Sequence, residues 1–343
     1  MVLARAAAQV SAQAPAALPE PLMAGDQRPL VSLIKGEDRR KNVFDALMAI
    51  DRQIAPQLKK KKYVVIKPNN VSTTNQLAAT HLDALRGTMD YLSERFHGPV
   101  VVAESSAGET MEGFEHFHYS RLVTEYPRAR VSLIDLNTEG KYQLVPLLDS
   151  DLHLNDVRLA ERLMDPEAFV ISSAMLKTHN SVVATLSVKN MVLGAPLHHA
   201  PSDSNQWSDK RKFHVGIRQM HYNMMLAAQR LQPTWGAALI DGYEGMEGNG
   251  PGSGDPVPSR VAIASADFVA ADRVGIEAMG INPTWIGYLL YCWQTGIGQY
   301  DLNKIQVEGE SIASVRQPYK LHKDIEHELQ WMGPMTDVPR KIG

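Results

Sequence analysis

The feature that most constrains this chain is a series of short apolar runs without alternation: Tyr63–Ile66, Pro99–Ala103, Ala168–Ser173 and Gly236–Ile240. A strand with one wet face alternates apolar and polar residues, so an unbroken run calls for cover on both faces. Helix-patterned stretches lie between the runs. Val43, Leu47, Ile50, Ile54 and Leu58 recur at helical spacing through Asn42–Leu58, and His81–Phe96, a stretch near Phe114–Tyr126, His214–Leu231 and Asp267–Met279 read the same way. Leu30–Lys35, Val131–Leu136 and Arg260–Ala264 complete the set of expected strands. The pattern predicts an α/β fold with a mostly parallel, doubly wound sheet and helices on both faces.

In such a sheet ligands bind beyond the carboxyl ends of the strands. The residues expected there are polar: Lys67-Pro68-Asn69, Glu104-Ser105, Lys177-Thr178-His179 and Asp241-Gly242. Lys67, Lys177 and Lys189 each follow an apolar segment, and together they suggest an anion held by several strand ends. Partial burial among like charges would also lower a lysine pKa and make it a base. His179, two residues after Lys177, could exchange protons near neutral pH. Asp241–Pro251 reads as an acidic, glycine-rich loop after a buried strand, with Asp241, Glu244 and Glu247 as its acids. Its glycines permit positive φ and close approach to a ligand. It contains no phosphate-binding G-x-x-x-x-G-K-[ST] pattern and does not fit a dinucleotide fingerprint. Gly194–Lys212 reads as a long loop that could close over the site, ending in Arg211, Lys212 and His214.

Composition narrows the function classes. Lys and Arg total 35 against 38 for Asp and Glu, a net charge of −3, so no general positive field favours nucleic acid. The one lysine run, Lys59–Lys62, reads as the solvated end of a helix. The single cysteine, Cys292, excludes an intramolecular disulfide and any Cys-ligated iron–sulfur cluster, and its apolar surroundings argue for an inert thiol. No apolar run approaches the roughly 20 residues that span a bilayer, so no integral membrane segment is expected. Val2–Ala14 is rich in alanine and offers small-residue cleavage patterns at Val10-Ser11-Ala12 and Ala12-Gln13-Ala14. Residues 1–27 therefore read as a disordered leader and the remnant of an export signal, which implies a periplasmic or exported protein; the alternative is an Ala/Pro arm on a cytoplasmic one. Residues 28–312 are expected to form a single α/β domain, with 313–343 as a tail packing on it. Oligomeric state is not legible.

A divalent metal would need ligands from distant segments, His179 with Asp241 and Glu247, because no tight ligand pair occurs. His214 and His221, about two helical turns apart, share a face on this reading and are too far apart to chelate one ion unaided.

The ordered motifs KPN (Lys67–Asn69), KTH (Lys177–His179), SVKN (Ser187–Asn190), DGYEGMEGNGP (Asp241–Pro251) and an Asp-x-x-x-x-Asp helix start (Asp267–Asp272) resemble the domain-of-unknown-function 362 family. The resemblance spans roughly residues 30–310, and the glycine-rich segment is its most specific element. Many members carry a ferredoxin-like cysteine domain, which implies iron–sulfur partnership for them. This chain lacks those cysteines, so that implication does not carry over. Other members resemble twin-arginine-exported proteins, in agreement with Val2–Ala14.

The leading expectation is an enzyme acting on a small anionic molecule, a carboxylate or phosphate. Lys67 and Lys177 would hold the anion, with Lys177 also a candidate for catalysis. His179 would act as general acid or base, partnered by Asp241, Glu244 or Glu247. Asn69, Glu104, Lys189, Asn190, Arg211, His214 and Asn249 would complete the binding site. Isomerisation, elimination and hydrolysis all remain open. The alternatives are a metal-dependent hydrolase or oxidoreductase using His179, Asp241 and Glu247, and a non-catalytic anion-binding protein of the cell envelope.

Overall fold

A computed structural model describes residues 28–200, 203 and 208–334. The leader assigned to residues 1–27, part of the long loop after Gly194, and the end of the tail lie outside the described residues. Twelve strands are present among those described: β1 (Leu30–Lys35), β2 (Tyr63–Lys67), β3 (Val100–Glu104), β4 (Ser132–Asp135), β5 (Tyr142–Leu148), β6 (Leu154–Ala160), β7 (Ala168–His179), β8 (Val183–Thr185), β9 (Trp235–Glu247), β10 (Asp255–Val257), β11 (Val261–Ser265) and β12 (Gln306–Gly309). Ten of them form one sheet in the order β12-β1-β11-β9-β7-β2-β3-β4, with β8 on β7 and β10 on β9.

The adjacent strands β9, β7, β2, β3 and β4 are mutually parallel, as the unalternated runs require. Beyond them β11 is antiparallel to both β9 and β1. A short hairpin turn, rather than a crossover helix, returns the chain from β9 through β10 to β11, so the direction reverses. Helices cover both faces. Val43, Leu47, Leu85 and Met89 pack on Val64, Ile66 and Ile171 on one face. Val188, Met224, Val274 and Leu289 pack with Val65, Val170 and Ile240 on the other.

Several boundaries differ from the sequence reading. Asn42–Leu58 is two helices, Arg39–Ala49 and Asp51–Leu58, parted at Ile50. The expected helix from His214 starts at Ile217, because Gly216 (φ 153°) breaks the chain direction before it. His214 therefore precedes the helix and shares no face with His221. The β5–β6 hairpin was not expected; the Asn223 side chain bonds both the N–H and the carbonyl of Leu148, tying it to helix Ile217–Leu231. In the tail, Glu328 accepts from the Val183 N–H and the Trp331 indole donates to the Trp285 carbonyl, so the described part packs on the sheet domain.

Two expected loops are largely strand. Met175–His179 extends β7, where Lys177 pairs with Thr185 of β8 and Met246 of β9. Asp241–Glu247 extends β9, where Gly245, Met246 and Glu247 pair with β10. The extensions satisfy each other's backbone groups across an irregular register, which holds a glycine-rich segment extended.

Candidate functional site

The chain runs β2, β3, β4 outward on one side of β2 and then returns to β7 on the other. The gap beyond the carboxyl ends of β2 and β7 is thus the topological switch point, where a doubly wound sheet opens a crevice. A cavity of about 180 Å³ lies there. It could hold a small organic acid or a phosphate, and is below the roughly 300–1,000 Å³ typical of larger ligands.

Each wall follows from the local fold. β2 ends in Lys67 and β3 in Glu104, both buried, with Lys67 Nζ 2.7 Å from Glu104 Oε2. Lys67 Nζ also donates to the Pro68 carbonyl and to Asn190 Oδ1 at 2.8 Å. Three acceptors use its three protons, so Lys67 is a satisfied ammonium, although burial pulls its pKa down against the Glu104 charge. Glu104 accepts further from the Asn70 and Ser105 N–H groups. Asn69 Nδ2 donates to Asn190 Oδ1, and Asn69 Oδ1 accepts from Lys177 Nζ at 2.5 Å. Lys177 therefore stands behind Asn69 and does not line the cavity.

Helix Ser187–Gly194 brings in Lys189 and Asn190. Its first turn is anchored by the buried Asp272 carboxylate, which accepts from the Ser187 N–H at 2.8 Å and the Val188 N–H at 2.9 Å. At its last residue, glycine leaves room for the Lys67 side chain. A Cβ on Gly194 would lie 2.0 Å from Lys67 Cε and 2.1 Å from Lys67 Nζ. The short 3₁₀ turn Asp209–Phe213 then points Lys210 inward, where its Nζ donates to Ser105 Oγ (3.0 Å) and the Leu193 carbonyl (2.7 Å).

Lys189 differs from its neighbours. It is only 6% exposed, it lines the cavity, and its Nζ makes no hydrogen bond or ion pair with any described residue. Two further polar atoms of lining residues are buried without partners, Asn70 Nδ2 and Thr185 Oγ1. Buried polar atoms are normally satisfied, so unmet groups clustered around one cavity mark a place for a ligand. Burial lowers the pKa of Lys189 to about 7, with the Lys67 charge adding to the effect. Burial likewise brings Lys177 to about 7, helped by Lys189 and Lys67. Lys210 also falls to about 7, through burial and against the pull of Glu104.

The two histidines of the cavity present different faces. His179 Nδ1 accepts from the Ser181 N–H at 3.0 Å, so the neutral ring carries its proton on Nε2. Burial holds its pKa well below the ordinary value, aided by the Lys189 charge. A neutral imidazole N–H is a hydrogen-bond donor and not an acid at neutral pH. His214 sits exposed at the mouth, with Nδ1 2.9 Å from the Lys210 carbonyl. A carbonyl only accepts, so His214 Nδ1 holds the proton and Nε2 keeps its lone pair. Although the residue is exposed, the cavity wall around its ring partly desolvates it, and this and the Lys189 charge lower its pKa, which keeps that lone pair free.

Lys67, Asn69, Glu104, Lys189, Asn190, His179 and His214 come together around the cavity, and Lys177 supports it from behind. The acids expected to partner His179 do not join them. Asp241 forms an ion pair with Arg39 at 3.3 Å and accepts from the Tyr243 N–H. Glu244 is exposed, its charge acting on His81 and Asp241. Glu247 Oε2 accepts from the Lys320 N–H, and Asn249 is exposed. Of Asp241–Pro251 only Pro251 lines the cavity. Gly250 is nonetheless required, since a Cβ there would lie 2.1 Å from the Thr178 carbonyl oxygen. Arg211 is exposed and does not line this cavity; the neighbouring Lys210 takes the inward position, and only the phase of the 3₁₀ turn could have indicated it.

The metal ligand set His179, Asp241 and Glu247 is not assembled. Among the described residues no group of three or more His, Cys, Asp or Glu is placed to hold a metal ion. His221 is buried beside Tyr288 and Trp331, accepting from the Tyr288 N–H. Among the described residues no helix is long and apolar enough to cross a membrane.

A model of the family described as domain of unknown function DUF362 matches residues 64–277, and the chain belongs to that family. The match begins in β2 and ends in helix Phe268–Ala278, so it contains every charged residue of the cavity. A thylakoid-associated protein of Synechocystis sp. is 31% identical over 140 residues, which is 40% of this chain and 40% of that relative. A crystal structure of a Thermotoga maritima protein aligns over 71% of this chain and 60% of its own, with a TM-score of 0.44 and 12% identity.

Proposed function

We propose that this member of the DUF362 family is an enzyme acting on a small carboxylate or phosphate by lysine and histidine acid–base chemistry. The observation that supports it is the charge balance of the cavity. Lys67, Lys189 and Lys210 line it against a single carboxylate, Glu104, which Lys67 already occupies. An anion would supply the missing counter-charge. Such charge-assisted bonds are roughly twice as strong as neutral ones.

In this proposal the roles fall differently from those expected from the sequence. Lys189 and Lys210 neutralise the anion, and Asn70 Nδ2 and His179 Nε2 donate to its oxygens. His214 Nε2 accepts a proton. Lys189 or Lys210, with a pKa of about 7, returns one as general acid. Lys67, Glu104, Asn69 and Asn190 form the rigid frame on which these groups stand.

The test is a panel of small carboxylates and phosphates screened by thermal shift, with each stabilising compound then incubated in deuterated buffer and followed by NMR. Loss or deuteration of a bound compound, absent in Lys189→Met and His214→Asn, supports the proposal. A compound that stabilises the fold yet returns unchanged and unlabelled would make the protein an anion-binding protein instead. Stabilisation by none of them would sink the anion reading itself.

A further inference from the structure

We infer that Lys189 is a covalent anchor, whose Nζ forms a Schiff base with the carbonyl carbon of a small 2-oxo carboxylate held in the cavity. This inference rests on the anion-site reading above and names its substrate class.

The argument starts from how the four lysines differ. Lys67 Nζ has three acceptors, Lys210 two and Lys177 one, and each is held by them. Lys189 Nζ has none among the described residues, although its side chain is buried. It projects from a helix fixed at its start by Asp272 and at the next residue by Asn190, whose amide donates to the Lys67 carbonyl and Ser172 Oγ, so its freedom at the cavity wall is not a matter of a loose backbone. An amine used only to neutralise an anion works best fully charged and shared with a fixed carboxylate or carbonyl. An amine set among cations, without an acceptor, is instead kept partly in its neutral, nucleophilic form. Among small anions, the electrophile that such an amine attacks reversibly, with only water leaving, is a carbonyl group.

The step balances with groups already present. The Nζ lone pair adds to the carbonyl carbon as the C=O π pair moves onto oxygen. His214 Nε2 takes one Nζ proton and passes it to that oxygen, giving a carbinolamine. The hydroxyl then leaves as water with a proton from the Lys210 ammonium, and a protonated imine remains. That imine draws electrons from the neighbouring carbon, where His214 Nε2 can remove a proton. The carboxylate is held by the Asn70 amide and the His179 Nε2 proton, both at the cavity wall.

The experiment incubates the full chain with pyruvate or glyoxylate and sodium cyanoborohydride, then maps labelled peptides by mass spectrometry. Sulfate and lactate binding are measured in parallel by calorimetry on wild type and Lys189→Arg. The expected result is about one carboxyalkyl group per chain, on Lys189. It should be lost in Lys189→Arg, whose cooperative thermal unfolding shows that the variant folds, and kept in Glu247→Gln, outside the cavity. Sulfate or lactate binding without an adduct overturns the Schiff base and leaves the anion-site reading standing. An adduct on Lys177 or Lys210 overturns the assignment to Lys189. No binding of any probe and no adduct overturns both readings together.

Discussion

Two charged regions of this molecule look alike as sequence and behave oppositely in the structure. The acidic segment Asp241–Glu247 has its groups engaged locally: Asp241 with Arg39 and the Tyr243 N–H, Glu247 with the Lys320 N–H. Tyr243 is itself flanked by Arg39 and Arg260, whose guanidinium carbons lie 4.8 and 4.3 Å from its ring centre. At the switch point the balance is broken among the described residues, with three lining lysines against one carboxylate and Lys189 without a partner. The difference teaches that a run of charge is a weak sign of chemistry. A charge whose surroundings leave it unmet is a stronger one.

The largest expected effect sharpens this contrast in stability. Glu104 is the one counter-ion to buried Lys67, so Glu104→Gln leaves an uncompensated ammonium and is expected to destabilise the fold by about 3–5 kcal/mol. Glu247→Gln removes one partly exposed acceptor and should cost less than about 1 kcal/mol. Urea unfolding of both variants measures the gap. Equal losses would erase the distinction between the two regions.

The next effect is on binding. Lys189→Met deletes the unmet ammonium while keeping the helix and much of the side-chain volume. At pH 6, below its pKa of about 7, affinity for a small anion should fall by about 1.5–3 kcal/mol, the worth of a hydrogen bond to a charged group. Asp241→Asn, outside the cavity, should leave that affinity unchanged. Calorimetry with sulfate compares them, and a larger loss in Asp241→Asn would place the anion elsewhere.

Much of this site was legible before the structure. An unalternated strand announces where it stops, so Lys67, Glu104, Lys177 and His179 could be placed at carboxyl ends from the runs that precede them. What the sequence did not carry was partnership. Arg39 lies some two hundred positions before Asp241, and nothing local marks it as the ion-pair partner. The extensions of β7 and β9 were also hidden, since glycines give no strand signal and the pairing that holds them comes from each other. Nothing in the sequence distinguishes Lys210 from Arg211, because only the phase of a short 3₁₀ turn separates inward from outward.

The pH dependence follows from the same unmet charges and is smaller per unit. Lys177, Lys189 and Lys210 have folded pKa values near 7 against an ordinary 10.5, so the folded chain releases these protons first. Between about 7 and 10.5 the unfolded chain binds more protons, and these groups make stability rise with pH across that window. Anion affinity should move the other way, falling by at most about 1.4 kcal/mol per pH unit for each proton lost above pH 7. Parallel urea and calorimetric titrations from pH 6 to 9 would show the opposed slopes. Flat curves in both would mean that the lysines keep their charge.

The smallest expected effect isolates a buried acid that serves the cavity from outside it. Asp272 lies buried in helix Phe268–Ala278 and caps the helix that carries Lys189, each carboxylate oxygen accepting one N–H. Burial raises its pKa to about 8, against the pull of those two hydrogen bonds. Asn in its place keeps one acceptor and loses the other, so Asp272→Asn should cost about 1 kcal/mol, as for a lost helix cap. The informative readout is reductive methylation of Lys189 at pH 7, followed by peptide mapping. If the cap fixes Lys189 among the other cations, its selective reactivity over surface lysines should drop in Asp272→Asn and remain in Glu247→Gln. Loss of stability with Lys189 reactivity unchanged would make Asp272 a structural cap alone, and the unmet state of Lys189 would then be set by its neighbours Lys67 and Lys177.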